Sequence, residues 1–154
     1  MKLYFFDTSA LAKRYVVEQG STWVRNLTLL KNQNPIILSQ ITWVEVMSAF
    51  ARLEREKKIS KKDINLLINI FQYDWNIQYN TINLDDSIIK SSGELVQQFP
   101  LRAYDSVQLA SALKILSAFS KISKSAYTFV SADKRLLDVA QIIGFIVINP
   151  NDYG

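Results

Sequence analysis

The chain contains neither cysteine nor histidine. The first absence removes any disulfide framework and any cysteine-based zinc site, and the second removes the commonest general base and the commonest metal ligand. Chemistry, if present, must rest on other side chains. Long apolar runs are also missing: nothing approaches the ~18 residues needed to span a bilayer. The opening residues Met1 to Asp7 reach an acid after only four apolar side chains, too few for the apolar stretch of a signal peptide. These absences point to a soluble chain of the cytoplasm with no membrane partner.

At 154 residues the length suits one domain spanning 1–154, large enough to bury a core without metal or disulfide support. Net charge is +4 and the pI is near 9.3, a mild bias toward polyanionic partners. The excess is uneven. Arg52, Arg55, Lys57, Lys58, Lys61 and Lys62 fall within eleven residues that also hold Glu54 and Glu56. A solvated helix end followed by a loop is the ordinary explanation, and a phosphate-facing patch is the alternative.

Leu3–Phe6 is a short apolar run without helical period, and similar runs recur near 36–38, 78–82, 127–131 and 145–148, as expected of buried strands. Between them, apolar residues at three- and four-residue spacing predict helices over Ala10–Val17, Thr22–Leu30, Ile41–Glu56, Lys61–Trp75, Asp85–Phe99, Ala103–Phe119 and Ala132–Ile143. Ser60 is placed to cap the fourth of these, Gly144 to close the last, and Pro100 to separate two others. Strands alternating with helices imply an α/β fold, a three-layer α/β/α sandwich around a mostly parallel sheet.

Four carboxylates stand in unusual places. Asp7 follows a buried-looking strand directly, at the carboxyl end where open α/β sheets bind ligands, although it is equally suited to cap the next helix. Asp133 repeats the arrangement after Tyr127–Ser131, with the same capping alternative. Glu45 lies inside Ile41–Phe50, a segment apolar nearly all round, where a carboxylate needs a proton, a hydrogen bond, a cation, or an ion pair with an arginine such as Arg52 or Arg102. Asp105 shares a helix face with Leu109, Ala112 and Leu116, the stripe expected to pack inward. Gathered at ~5 Å, such groups repel by roughly 3 kcal/mol per pair at an effective dielectric near 20. A cluster of this kind needs a cation, and oxygen ligands select Mg²⁺, Mn²⁺ or Ca²⁺ over zinc or copper.

Around these acids the chain resembles the PIN-domain family, in particular the VapC-type toxins of toxin–antitoxin pairs. The resemblance is carried by Phe6-Asp7-Thr8-Ser9-Ala10-Leu11, by Thr42–Ala49 around Glu45, by Leu101–Ala110 around Asp105, and by Phe129–Leu136 around Asp133, in family order. It implies a PIN-like parallel sheet whose carboxyl edge gathers Asp7, Glu45, Asp105 and Asp133 around one or two Mg²⁺ or Mn²⁺ ions, with Ser9 and Arg102 in supporting roles. It also implies an endoribonuclease acting on RNA, a homodimer, and a cognate antitoxin that covers the acidic pocket. Where many members carry histidine after the third acid this chain has Gln108, so any hydrogen bonding there falls to an amide.

The expected chemistry is metal-assisted phosphodiester hydrolysis leaving 5′-phosphate and 3′-hydroxyl ends. Because an acidic pocket repels RNA, cations at its rim must grip the strand; Lys13, Arg14, Arg102, Lys134 and Arg135 are near the acids in sequence. A catalytically silent PIN-like module that binds RNA or protein is the rival reading. Haloacid-dehalogenase-like phosphatases and receiver domains fit less well, because Ser9 stands where the first needs a second aspartate and the second needs adjacent acids near strand one.

Overall fold

The computed structural model describes residues 2–118 and 126–154. Among them β1 (Leu3–Phe6), β2 (Ile36–Ser39), β3 (Tyr79–Ile82), β4 (Tyr127–Val130) and β5 (Ile146–Ile148) form one sheet in the order β3-β2-β1-β4-β5. Every pairing is parallel, with Phe5 opposite Ile37 on one side and Phe129 on the other. The expected mostly parallel sheet is therefore wholly parallel among these strands.

Both faces of the sheet are covered, which is why its strands read as unbroken apolar runs rather than alternating ones. Tyr4, Phe6, Ile36, Leu38 and Val130 point into one layer. There they meet α1 (Thr8–Leu11), α2 (Ser21–Leu27), α3 (Ile41–Arg55) and α4 (Lys61–Ile77) through Leu11, Val24, Phe50 and Phe71. Phe5, Ile37 and Phe129 point the opposite way, onto α5 (Asp86–Gln98), α6 (Ala103–Ala118) and α7 (Lys134–Ile143). The three layers expected from sequence are present. No described helix is long and apolar enough to cross a membrane.

Local chemistry sets several boundaries. The Ser60 hydroxyl accepts from the Asp63 amide at 3.2 Å to start α4, and Gly144, at φ +118°, closes α7 in a left-handed conformation that favours glycine. Pro100 lies in the gap between α5 and α6. The residue expected to end α6, Phe119, lies outside the described residues.

Two expectations need correction. The helix read over Ala10–Val17 is instead the single turn α1, capped by Asp7, and a 3-10 turn at Ala12–Arg14, because the side chains after it are drawn toward α4 and β3. Helix α3 is not enclosed all round: Val44, Ser48, Arg52 and Arg55 form an exposed stripe, so Glu45 sits at its margin, half-buried. Helix α6 buries Leu109 and Ala112 of the expected stripe, and Ser106, Gln108, Ala110 and Ser111 are buried as well.

The basic cluster lies exposed where α3 meets α4, with Lys58 paired to Glu56 at 3.0 Å. Arg55 follows Glu45 by ten residues, about 15 Å along a helix rising 1.5 Å per residue. That placement suits the solvated helix end.

Phe71 joins α4 to the rest of its layer, with its ring edge-on to Tyr15 at 5.4 Å and to Phe50 at 6.4 Å and tilted against Trp43 at 5.3 Å. It is fully buried. Replacing it by alanine is expected to cost about 3–5 kcal/mol, read as a lower urea midpoint at unchanged slope.

Candidate active site

The strand order places β1 and β4 side by side at the point where the chain switches from one half of the sheet to the other, the position at whose carboxyl ends open α/β sheets bind ligands. Asp7 follows β1 and Asp133 follows β4 by way of Ser131. Both also cap helices. Asp7 Oδ1 accepts from the Ala10 amide at 3.0 Å, and Asp133 Oδ1 accepts from the amides of Arg135 at 3.0 Å and Leu136 at 3.4 Å. The capping role weighed against a functional one is thus real at both positions, and it fixes where each carboxylate stands.

Asp7 is only 4 % exposed. Ser9 Oγ lies 2.8 and 2.9 Å from its two oxygens and donates to one at a time. The Ser131 hydroxyl donates to Oδ2 at 2.6 Å. Those serines also stitch β1 to the β4 loop, because Ser9 Oγ accepts from the Ala132 amide at 2.9 Å and Ser131 Oγ from the Asp133 amide at 3.0 Å.

Glu45 is held by a different set. Its Oε1 accepts from Thr8 Oγ1 at 3.0 Å and from Gln108 Nε2 at 2.8 Å. The same Gln108 nitrogen lies 3.0 Å from Thr42 Oγ1 and 3.1 Å from Thr8 Oγ1, so two amide hydrogens serve three oxygens. The Gln108 Oε1 atom is buried without a partner. The hydrogen bonding expected of an amide at this position is present, and Gln108 is its hub.

Electrostatics link the four acids in sequence. Burial pushes the Asp7 carboxyl up to about 7, against the three hydrogen bonds it accepts and with a further push from Glu45. Burial also raises Glu45, opposed by Gln108 and Thr8 and assisted by Asp105. Asp105 is raised by burial and then by Asp133, while Arg102 and Arg135 draw it down. Among the described residues the ion pairs are Lys13–Glu18, Arg14–Asp74, Lys58–Glu56 and Lys114–Asp85, and none involves the four acids. The ion pair considered for Glu45 with Arg52 or Arg102 does not form.

Two cations expected at the rim are occupied elsewhere. Lys13 is buried and pairs with Glu18 at 3.3 Å. Arg14 donates to Gln78 at 2.7 Å and Tyr79 at 2.8 Å, pairs with Asp74 at 3.3 Å, and packs over the rings of Tyr15 and Tyr79. Arg102, Lys134 and Arg135 remain exposed. Sequence reasoning missed the hydroxyl groups of Thr42 and Ser131. Their signal is a small polar residue at a buried position beside an acid.

A sequence model of the PIN domain matches residues 4–142. The chain belongs to the PIN-domain family. Three solved structures resemble this PIN domain across 96 % of its length. FitAcB from Neisseria gonorrhoeae shares 15 % identity at a TM-score of 0.65, with 97 % of that chain covered. VapBC2 from Rickettsia felis, bound to a DNA fragment from its promoter, shares 18 % at 0.61, with 98 % covered. A toxin–antitoxin complex from Klebsiella pneumoniae shares 22 % at 0.57, with 97 % covered. At these identities the likeness concerns the fold. The comparison with curated proteins gives no match.

The donors fit a hard divalent cation: they are oxygens of carboxylates and hydroxyls, and the acids have no lysine or arginine partner among the described residues. Among those residues, however, no three acids stand close enough to hold one ion. The four do not form a ready-made cage. Ligation by one or two carboxylates, with water completing the shell, fits this arrangement and is the habit of Mg²⁺.

A raised Asp7 carboxyl makes the folded PIN domain bind a proton more tightly than the unfolded chain. Its contribution to stability is full below about pH 4 and is lost as pH rises toward 7. From 3.8 to about 7 the loss is of order 4 kcal/mol at 1.36 kcal/mol per unit. Asp7→Asn is therefore expected to stabilise the metal-free protein by a few kcal/mol at pH 8 and by little at pH 4, read by urea unfolding at both values. An equal effect at the two pH values would refute the buried-acid assignment.

Proposed function

We propose that this PIN domain is a metal-dependent endoribonuclease, the toxin of a toxin–antitoxin pair, that hydrolyses RNA phosphodiester bonds. PIN domains are typically nucleases, and one of the similar structures is itself a toxin–antitoxin complex. The observation that carries the reading is the uncompensated charge of the site. Asp7 is buried, no cation among the described residues pairs with it, and Glu45, Asp105 and Asp133 follow it in electrostatic succession. A fold that only required helix caps would not need a carboxylate kept beneath the surface at this cost.

Asp7 and Asp105 are the first candidates to hold Mg²⁺ or Mn²⁺, with Glu45 and Asp133 beside them. When bound, the ion would neutralise phosphate charge and make a water more acidic. Ser9 and Ser131 fix the Asp7 oxygens, and Gln108 and Thr8 fix Glu45, so these carboxylates need little rearrangement. Arg102, with Lys134 and Arg135, offers positive charge at the rim to a strand that the acids alone would repel. The same reading includes a cytoplasmic homodimer of single-domain protomers, silenced by a cognate antitoxin over the pocket.

One observation favours the catalytically silent module instead: Asp7 and Asp133 are complete helix caps, and no three acids among the described residues close on one point. Metal separates the two readings. With Mg²⁺ or Mn²⁺ the wild-type chain is expected to cut labelled RNA to 5′-phosphate and 3′-hydroxyl ends, and EDTA to stop it. Asp7→Asn and Asp105→Asn should each lower the rate about a thousandfold, ~4 kcal/mol of barrier, and weaken Mn²⁺ binding. Cyclic 2′,3′-phosphate ends, or cutting that survives EDTA, would reject the mechanism.

A further inference from the structure

Tyr104 stands in the first turn of α6, 61 % exposed, and takes part in no aromatic pair among the described residues. The chain treats several other tyrosines differently: Tyr4, Tyr15, Tyr79 and Tyr127 are buried, and Tyr153 stacks on Trp23 at 5.0 Å. On a helix the residue four positions later lies on the same face, and for Tyr104 that residue is Gln108, whose amide touches Glu45 at 2.8 Å. The next residue is Asp105. A bare phenol ring thus lies one turn from the hub of the acidic site, and helical side chains lean toward the N-terminal end, away from the enclosed part of α6.

The charges around it complete the pattern. Arg102 precedes it by two residues, is exposed, and forms no ion pair among the described residues. Arg135, on α7, is exposed in the same way, and both guanidinium groups act on Asp105. Two free guanidinium groups and an unstacked ring bordering a carboxylate pocket form the combination that single-stranded nucleic acid uses: cations follow its backbone and an aromatic face receives a base. A duplex has no free base face to offer.

We infer that Tyr104 is a base-stacking platform, holding one unpaired nucleobase at the mouth of the site while Arg102 and Arg135 take neighbouring phosphates. This rests on the ribonuclease reading for the identity of the polymer, and its test is independent of cleavage. Fluorescence anisotropy is measured on the full chain carrying Asp7→Asn, with a labelled single-stranded oligoribonucleotide and with the same strand in a duplex. Adding Tyr104→Ala should weaken single-strand binding about tenfold and leave duplex binding unchanged, whereas Tyr104→Phe, which keeps the ring, should restore it. Equal binding of strand by the alanine and tyrosine forms, an equal loss on duplex, or no binding of strand at all would overturn the platform. If wild-type chain cuts RNA while the alanine form binds normally, the platform fails and the nuclease reading stands. If the wild-type chain cuts nothing while the alanine form loses strand binding, the platform stands and the nuclease reading fails.

Discussion

The buried carboxylate of Asp7 is the constraint on which the rest of the site depends. It receives hydrogen bonds from Ser9 and Ala10 on one side and from Ser131 on the other, groups separated by more than a hundred residues of chain. They meet only because β1 and β4 are neighbours in a parallel sheet, a register set by large apolar side chains such as Phe5 and Phe129, stacked at 5.4 Å. The energetics run in opposite directions: apolar burial assembles the sheet, and that assembly strands a carboxylate away from water. Hydroxyl donors offset part of the desolvation cost, and the carboxyl meets the rest by holding its proton to higher pH.

Much of this is legible in the sequence because the elements are locally consistent. The five apolar runs are strands, and Asp7, Ser60, Asp133 and Gly144 act at helix ends through chemistry that depends only on near neighbours. The first helix escapes such a reading, since its apolar period continues through Val17 while the backbone does not. Tyr15 turns inward to donate to Asp74 at 2.7 Å and bonds Tyr79 at 2.5 Å, and Arg14 follows it. Those partners lie about sixty residues away, beyond any local window.

The same distance explains the errors at the rim. Lys13 and Arg14 are close to Asp7 along the chain, but one is buried against Glu18 and the other belongs to a polar knot with Asp74, Gln78 and Tyr79. Positive charge near an acid in sequence is a poor guide once a helix turn has rotated it away. Conversely, Thr42 and Ser131 carry no charge, and their one mark is a hydroxyl close to an acid in sequence, though each is fully buried. Gln108 does stand out, as an amide in place of an imidazole, and its role follows from that chemistry: it carries two donor hydrogens at every pH, where a neutral imidazole keeps one.

The parallel arrangement also sets when the surroundings of Asp7 can be complete. The central strand β1 is made well before one of its two neighbours, because β4 is Tyr127–Val130, and Ser131 and Asp133 follow it. A nascent chain halted before that point has Asp7 without its Ser131 donor and with one side of β1 unpaired. Non-local pairing of this kind is slow to form, and the two halves of the Asp7 cradle cannot meet until more than a hundred residues of intervening chain have been laid down.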